Sequence, residues 1–261
     1  MLFTTAFSVV ASILALPVHG APAASPAPTT SAPAAAPPPV PLVANAPAIA
    51  AGLKTAASSN DRFSKLLKDS SGKLLTGDAL RQLTVFDFNN QAPAAGATGG
   101  SILLATVDNF PILEGLSISG AVSFLEACGL NIPHWHMRAD EMLTVVQGVL
   151  DTGFVQENGF NTVVETQLGQ FQATVFPQGS IHYQQNPTCS PAVFVAALNS
   201  EDPGRSDAAT NFWALPSDVI NAALGFPNTI GGSNIDAWRA HLPLNLAAGV
   251  DSCLAACNLS Q

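Results

Sequence analysis

The chain has few charged residues, and few of those are basic: 10% of its 261 residues are charged, and nine are lysine or arginine. From residue 84 onward, three basic residues stand against fifteen acidic ones. A surface this acidic repels phosphate backbones, so nucleic acid is not an expected partner. After residue 20 the chain also lacks any run near the roughly 20 apolar residues that span a bilayer, so no membrane segment is predicted.

The first 50 residues contain no charged side chain. Residues 1–20 are mostly apolar and precede a proline-rich segment, which is typical of a secretory signal peptide. Residues 21–50 have no periodic apolar face and many prolines, so they are predicted to form an extended, disordered arm. The arm would carry O-linked sugars, or would serve as a plain spacer or processed pro-segment. The protein is therefore predicted to be secreted, and to be extracellular or attached to a cell wall.

Cysteine is also scarce, with four residues in the chain. Because an exported chain meets an oxidising environment, an even number of cysteines predicts two disulfides. The N-glycosylation sequon begins at Asn258, in a cysteine-containing tail at 251–261. Residues 51–250 are long enough for one domain with a sizeable core.

The pattern of this domain is mostly that of β-structure. Residues 59–69 begin with capping residues and place apolar side chains on one face, which predicts a short helix. Between 82 and 199, eight β-rich runs follow, the first being QLTVFDF, with no helical crossover and no internal repeat. One sandwich or barrel is therefore predicted. Short helices are predicted again at 217–224 and 234–242.

Two histidines and a glutamate lie close together in IPHWHMRADEML, residues 132–143. His134 and His136 point to the same face of a strand because side chains two apart share a face. Glu141 begins the next strand after a four-residue connection that can fold it back beside the pair. In PQGSIHYQQN, residues 177–186, a turn leads into a strand carrying His182, which can face the same point inside a barrel. Imidazole and carboxylate ligands suit Mn, Fe or Zn.

Together these stretches resemble the two motifs of the cupin family. Residues 129–148 have the glycine, His-x-His, glutamate and closing glycine of the first motif, and 177–186 match the Pro-x-Gly-x-x-His-x-x-x-Asn of the second. The likeness is to germin-like and spherulin-like cupins, over roughly residues 60–245. It implies an all-β fold, a cupin β-jelly-roll barrel flanked by short N-terminal and C-terminal helices. It also implies one metal, usually Mn2+ with Fe or Zn as alternatives, bound by His134, His136, Glu141 and His182.

The resemblance leaves the substrate open. Where oxalate-oxidising germins place asparagines, an ungapped alignment puts Ala121 and Glu114, neither of which suits a carboxylate substrate. After the second motif, the segment resembles the lid of oxalate decarboxylases, which implies Glu201 or Asp202 as a catalytic lid acid. The alternative interpretation of these two residues is solvated acids in a surface loop.

Three functions remain open from the sequence. The first is a secreted Mn-dependent oxidoreductase of superoxide dismutase-like or oxalate oxidase-like type. The second is a non-enzymatic extracellular, cell-wall or spore-coat-like metal-binding protein. The third is a small-carboxylate decarboxylase-like cupin. The expected partner is a small molecule, superoxide or a small carboxylate, and family habit implies a homo-oligomer.

The disulfide pairing can be argued from strand direction. If the strands bearing His134 and His182 are antiparallel, Cys128 and Cys189 lie at the same end of the barrel. A Cys128–Cys189 bond is then preferred, leaving Cys253–Cys257 in the tail, although four cysteines allow three connectivities. Two further side chains are interpreted as packing rather than ligands: His241 on a predicted helix, and Tyr183, which alternation directs away from the metal.

Overall fold

The computed structural model describes residues 36–89, 93–160, 162–225, 237, 242 and 246–259. The predicted signal peptide, 1–20, lies outside these residues, as do His241 and most of the helix predicted at 234–242. Among the described residues, no helix combines the length and apolar character that a membrane crossing needs.

Three short helices precede the strands: α1 (Ala46–Leu53), α2 (Ser59–Leu67) and α3 (Gly77–Thr84). The hydroxyl of Ser58 caps α2 by accepting a hydrogen bond from the backbone N–H of Asp61 at 3.1 Å. Leu66 is buried on the inner face of α2. The helix predicted at 59–69 is present, and it ends two residues earlier than expected.

Two sequence predictions in this region are wrong. The arm predicted at 21–50 extends too far, because α1 begins at Ala46 and the buried Val40 donates a backbone hydrogen bond to Asp87. The run QLTVFDF, 82–88, is not a strand: it completes α3 and continues as irregular chain. None of its side chains is buried, so it has no face to contribute to a sheet core.

The other seven β-rich runs all contain strands, and the strands form two antiparallel sheets. A five-stranded sheet has the order β1-β2-β9-β4-β7, and a six-stranded sheet has the order β10-β3-β8-β5-β6, with β11 also paired to β3. The strands are β1 (Gly100–Ala105), β2 (Ser119–Leu125), β3 (Leu130–Trp135), β4 (Glu141–Gln147), β5 (Leu150–Val155), β6 (Val164–Leu168), β7 (Ala173–Phe176), β8 (Ile181–Gln185), β9 (Ala192–Leu198), β10 (Ser206–Asp207) and β11 (Leu246–Ala247).

The core lies between the two sheets, because their strands alternate buried and more exposed side chains. Its largest fully buried side chains include Phe176 and Phe194, with Leu125, Leu143 and Leu150 packed around them. A second, smaller cluster of alanine and leucine side chains combines three residues of the five-stranded sheet with one from the connection between β3 and β4: Ala121, Ala196 and Leu198, with Ala139. This small-residue wall leaves room inside the barrel.

In the described parts of the chain after β10, the short helices are α4 (Ala208–Trp213), α5 (Ser217–Ala223) and α6 (Asp251–Ala256). The helix predicted at 217–224 corresponds to α5. The segment before α6 crosses very close to the turn between β2 and β3, since a Cβ on Gly249 would lie 1.7 Å from the carbonyl oxygen of Cys128. Gly249 also has a φ of 103°, so both space and backbone conformation require glycine there.

The preferred disulfide pairing is wrong. The bonds are Cys128–Cys253 and Cys189–Cys257, so that α6 is fastened twice to the barrel. Cys128 and Cys189 do lie at the same end, where the N–H of Cys128 bonds to the carbonyl of Thr188 at 3.0 Å. The two tail cysteines are four residues apart on a helix, so they share the face that meets the barrel, and each reaches a different partner.

Candidate metal centre

Four chemically suited side chains meet inside the barrel: His134, His136, Glu141 and His182. Each offers one ligand atom, and these four atoms all lie within 4.8 Å of one another. All four residues are buried, with 1–6% exposure. The structure therefore brings together every residue that the sequence predicted as a metal ligand.

The strand pairing explains why they converge. His134 on β3 lies directly opposite His182 on β8, and His136 follows β3 by one residue. Glu141, the first residue of β4, belongs to the other sheet and approaches from across the barrel. The connection MRAD is thus the corner where the chain passes from one sheet to the other.

Backbone carbonyls fix the protonation of the three rings. Nδ1 of His134 lies 2.8 Å from the carbonyl oxygen of Ile132. Nδ1 of His136 lies 2.6 Å from the carbonyl oxygen of Gly204, and Nδ1 of His182 lies 2.9 Å from that of Ser180. Because a carbonyl oxygen only accepts, each Nδ1 must carry the proton and donate it. Each Nε2 is then left with a lone pair, which is the form that binds a metal.

Glu141 is charged despite its burial. Burial favours the protonated carboxyl, but hydrogen bonds and positive charge from His136 and His182, when these rings carry a proton on Nε2, outweigh burial and lower the pKa from 4.5 to about 2. Its Oε2 lies 2.9 Å from Nε2 of His136 and 3.4 Å from Nε2 of His182. A lone pair on Glu141 Oε2 and a lone pair on a histidine Nε2 at such distances need a proton or a cation between them.

His134 itself favours the neutral form. Burial, helped by the positive charge of Arg205, holds the pKa of His134 well below its usual 6.5. The ring of His182 stacks on Phe176, with centroids 4.3 Å apart and planes 8° from parallel. Its buried Nε2 has no hydrogen-bond partner among the described residues. A divalent ion would satisfy this nitrogen, so the donor set fits a metal.

The chemistry of the donors limits the choice of metal. Three imidazole nitrogens and one carboxylate suit Mn, Fe or Zn. A second group of candidate ligands, Cys128, Cys253 and Cys257, also meets by distance, but these sulfurs are in disulfides and have no thiolate to offer. The histidine and glutamate cluster is therefore the metal-site candidate of the described residues.

A cavity of about 180 Å3 is lined by three of the four ligand candidates, His134, His136 and Glu141. One side is apolar, and the other side carries polar groups that the sequence interpretation missed. The lining residues besides the ligands are Ile102, Leu104, Ala121, Asn131, Ala196, Leu198 and Arg205. At about 30 Å3 per water, the cavity holds about six water-sized groups.

Asn131 reaches this cavity through an irregularity in β3. It precedes His134 by an odd number of residues, so regular alternation would turn it to the outer face. The register with β8 shifts between Asn131 and His134, and both side chains are buried inside. Asn131 Nδ2 donates to Gln184 Oε1 at 2.5 Å. Gln184 lies two residues after His182, so strand alternation alone could have predicted that its side chain faces the barrel interior.

Arg205 belongs to a segment that the sequence indicated as a surface loop. We call residues 199–207 the strap, because they run from β9 across the connection between β3 and β4. The strap is tied down at Asn199, whose amide exchanges hydrogen bonds with Asp140, and at Gly204, whose carbonyl holds His136. The φ of 66° at Gly204 turns the chain so that Arg205 follows into the barrel wall.

The two predicted lid acids, Glu201 and Asp202, also lie in the strap but not at the metal centre. Asp202 is exposed, and its Oδ1 accepts a hydrogen bond from Arg138 Nη2 at 2.7 Å. Glu201 uses its backbone carbonyl to accept from the N–H of Val107. Neither carboxylate is among the described groups that gather within 4.8 Å of one another at the centre. Their role as lid acids stays a prediction.

A larger cavity lies elsewhere. It measures about 490 Å3 and is a groove on the outside of the five-stranded sheet, lined mainly by apolar side chains such as Ile118, Met142 and Val175. The polar groups that can perform chemistry line the smaller cavity, so the smaller cavity is the functional candidate. Tyr183 points outward, as predicted, and its hydroxyl donates to Glu165 at 3.1 Å.

Comparison with known proteins agrees with the geometry on the fold of the chain. The cupin family profile matches residues 86–229. Spherulin-1A of Physarum polycephalum is 37% identical over 223 residues, which cover 85% of this chain and 84% of the spherulin. Germin-like protein 8-5 of Oryza sativa subsp. japonica is 45% identical over 143 residues, covering 54% of this chain and 64% of that protein.

Solved structures support the fold. An oxalate oxidase in complex with the substrate analogue glycolate has a TM-score of 0.53 at 22% identity, covering 59% of this chain and 79% of that one. Oxalate decarboxylase from Bacillus subtilis has a TM-score of 0.53 at 18% identity, covering 65% of this chain and 40% of that one. The two-sheet barrel is thus the predicted cupin fold, and the chain belongs to the cupin family, with spherulins and germin-like proteins as its relatives.

Proposed function

We propose that the protein is an extracellular manganese-dependent oxidoreductase of the superoxide dismutase-like or oxalate oxidase-like type. The observation that supports this most is the buried set of three histidines and one glutamate, with every imidazole Nδ1 held by a carbonyl and every Nε2 facing inward. When bound, the manganese would supply a centre that changes oxidation state and has positions open to a small ligand. Iron and zinc are the alternative metals.

The chain's own residues would hold the metal, orient it and limit access to it. His134, His136, Glu141 and His182 are the proposed ligands. The apolar wall that includes Ala121 offers no hydrogen bond, so a substrate would be small and would need few partners on that side. Superoxide meets this description. Glu114 lies after a short turn away from the cavity, where its carbonyl accepts from Arg62 Nη1 at 2.5 Å.

A small carboxylate is the second candidate substrate, and one observation favours it. Arg205 brings a positive charge to the cavity wall, where it would attract a carboxylate. A decarboxylase-like role for Asp202 gains no such support, because the carboxylate of Asp202 is held by Arg138 at the surface.

We also propose that the protein acts outside the cell. Two disulfides suit an oxidising compartment, and the sequon residue Asn258 is exposed, beside Cys257. In the non-enzymatic alternative, the N-terminal arm would attach the protein to a cell wall and the metal would stabilise the barrel. Deletion of 21–35 would test the attachment without touching the described residues. Association into a homo-oligomer stays a prediction.

The test begins with elemental analysis of natively purified protein, followed by superoxide and oxalate assays on the same sample. We expect about one Mn ion per chain and activity toward at least one of the two substrates. His136→Ala should lower metal content to near zero and abolish activity, because it removes one ligand of four. Trp135→Phe, on the adjacent residue, is the matched control and should keep the metal. Full occupancy by zinc with no activity after manganese loading would reject the oxidoreductase.

A further inference from the structure

Arg205 is a largely buried cation beside the proposed metal ligands. Its side chain is 19% exposed and lines the same cavity as His134, His136 and Glu141. It is one of three basic residues after position 83, in a part of the chain with fifteen acidic ones. Burial of a charge in this position has a desolvation cost that only close partners can offset.

Two partners hold the guanidinium in place. Nε donates to Asp207 Oδ1 at 2.7 Å, and Nη2 donates to Asn131 Oδ1 at 3.0 Å. Asp207 is itself paired in register with His134 through β10 and β3, so Arg205 is fixed to the strand that carries the metal ligand. Of the five N–H groups of an arginine, the hydrogen bonds among the described residues use two. The others are available to a ligand in the cavity.

The charges around the cavity favour a bound anion. Asp207 balances Arg205. Because a metal binds imidazole in its neutral form, three histidine ligands add no charge, and a bound divalent metal would be opposed by the charge of Glu141 alone. The centre would then carry one excess positive charge, which a small monoanion or one carboxylate group neutralises. Without the metal the sum is negative, so anion binding would depend on the metal being present.

The size of the cavity sets an upper limit on this anion. About 180 Å3 accommodates about six water-sized groups, so a two-carbon acid fits and an aromatic acid or a sugar acid does not. The apolar side of the cavity has no donor to offer, since Ala121, Ala196 and Leu198 line it. Recognition of charge therefore falls to the opposite side, where Arg205 lies.

We propose that Arg205 is the anion-binding residue of this cavity: its guanidinium, fixed by Asp207 and Asn131, binds the charged end of a small anion of up to about six heavy atoms beside the four ligand side chains. This inference rests on the proposed metal centre. It deepens the proposed function by assigning the selection of substrate to one residue of the strap.

The test is calorimetric titration of the full, metal-loaded chain with oxalate, acetate and uncharged acetamide, with metal content measured on each sample. The wild type should bind both anions and not acetamide. Arg205→Gln should weaken anion binding about tenfold to a hundredfold at unchanged metal content, because a charged hydrogen-bond donor is lost. The anion affinity of Arg205→Lys should lie between those of the wild type and Arg205→Gln, since lysine keeps the positive charge but lacks the planar, paired N–H donors of the guanidinium.

Arg138→Gln is the matched control. It removes an arginine that also ties the strap, through Asp202, but is half exposed and lies outside the cavity. Anion binding by this variant should equal that of the wild type. Equal binding of anions by Arg205→Gln and the wild type would overturn the inference, as would wild-type binding of acetamide as tight as that of acetate.

Three further outcomes separate this inference from the proposed function. A wild type that holds manganese but binds neither anion would overturn the role of Arg205 and leave the metal centre standing. Loss of the metal in both Arg205→Gln and Arg205→Lys would assign Arg205 to holding the strap, and would also overturn the inference. A manganese-loaded wild type that binds acetate through Arg205 but has no activity toward superoxide or oxalate would reject the proposed oxidoreductase alone and leave the role of Arg205 standing.

Discussion

The two ends of the β3–β8 pair are closed by different chemistry. At one end, beyond the pairing of Leu130 with Gln185, two disulfides bind α6 to the barrel. At the other end, beyond the pairing of His134 with His182, the strap is held by hydrogen bonds and an exposed ion pair, and the candidate metal ligands lie beneath it. One end is closed covalently, and the other by contacts that protons, salt or a ligand can alter.

This difference separates stability from chemistry in the molecule. A disulfide constrains the unfolded chain whatever the pH, so the covalent end is insensitive to conditions short of reduction. At the metal end, the carbonyl of Gly204 in the strap fixes the proton on His136. Arg205, the next residue of the strap, lines the cavity beside the candidate ligands. A segment that positions both a ligand and a cavity cation has to be folded, but it does not have to be bonded covalently.

The largest expected effect is at the covalent end. The double substitution Cys128→Ser with Cys253→Ser removes a bond between residues 125 apart in sequence. It should lower the free energy of unfolding by about 4 kcal/mol through the greater entropy of the unfolded chain. Denaturant unfolding would measure this, with Ser252→Ala on the exposed side of α6 as control. Metal content should stay at the wild-type level, and its loss would contradict the independence of the two ends.

A moderate effect is expected at the metal end on acidification of metal-free protein. The pKa of His134 in the fold lies well below its unfolded value near 6.5, so below that pH the unfolded chain binds more protons than the folded chain. The stabilisation is present above pH 6.5 and is lost as pH falls toward the folded pKa. Glu141 has the same sign, with a loss between about 4.5 and about 2.

Thermal unfolding of the metal-free chain at pH 7.5, 6 and 5 would measure this effect. The midpoint should fall with pH, and the fall between 7.5 and 5 should be smaller in His134→Asn, which does not titrate there. A wild-type midpoint that is constant from pH 7.5 to 5 would contradict the neutral, buried His134. Metal-loaded protein should release its ion over the same range because protonated ligands do not bind it.

The smallest effect is expected at the surface tie of the strap. Asp202→Asn removes the ion pair with Arg138, whose side chains are 50% and 58% exposed for arginine and aspartate. Such a pair contributes little, so the free energy of unfolding should change by less than about 0.5 kcal/mol. Enzymatic activity should also stay the same. A large loss of activity at normal stability and metal content would instead support Asp202 as a lid acid.

Local patterns were enough to predict the ligand set. Histidines two apart share a face, and the turn before His182 starts a strand, so both patterns survive in any barrel built from these strands. The helix at Ser59–Leu67 was also predictable, because its cap and apolar face are local. The run at 82–88 shows the limit of such reasoning: its β-forming residues did not become a strand, since the burial that would favour one is absent.

The sequence by itself determined the histidine and glutamate side chains that meet in the barrel, because alternation and turns act over a few residues, and the resemblance of its two motifs to the cupin family implied the type of barrel. Only the tertiary structure decided which cysteines pair, since the two tail cysteines face the barrel from one helix and each bonds a different partner. It also decided that Asn131 turns inward, through a shift of register, and that the strap brings Arg205 to the cavity. These contacts join residues far apart in the chain, and no local pattern encodes the distance between them.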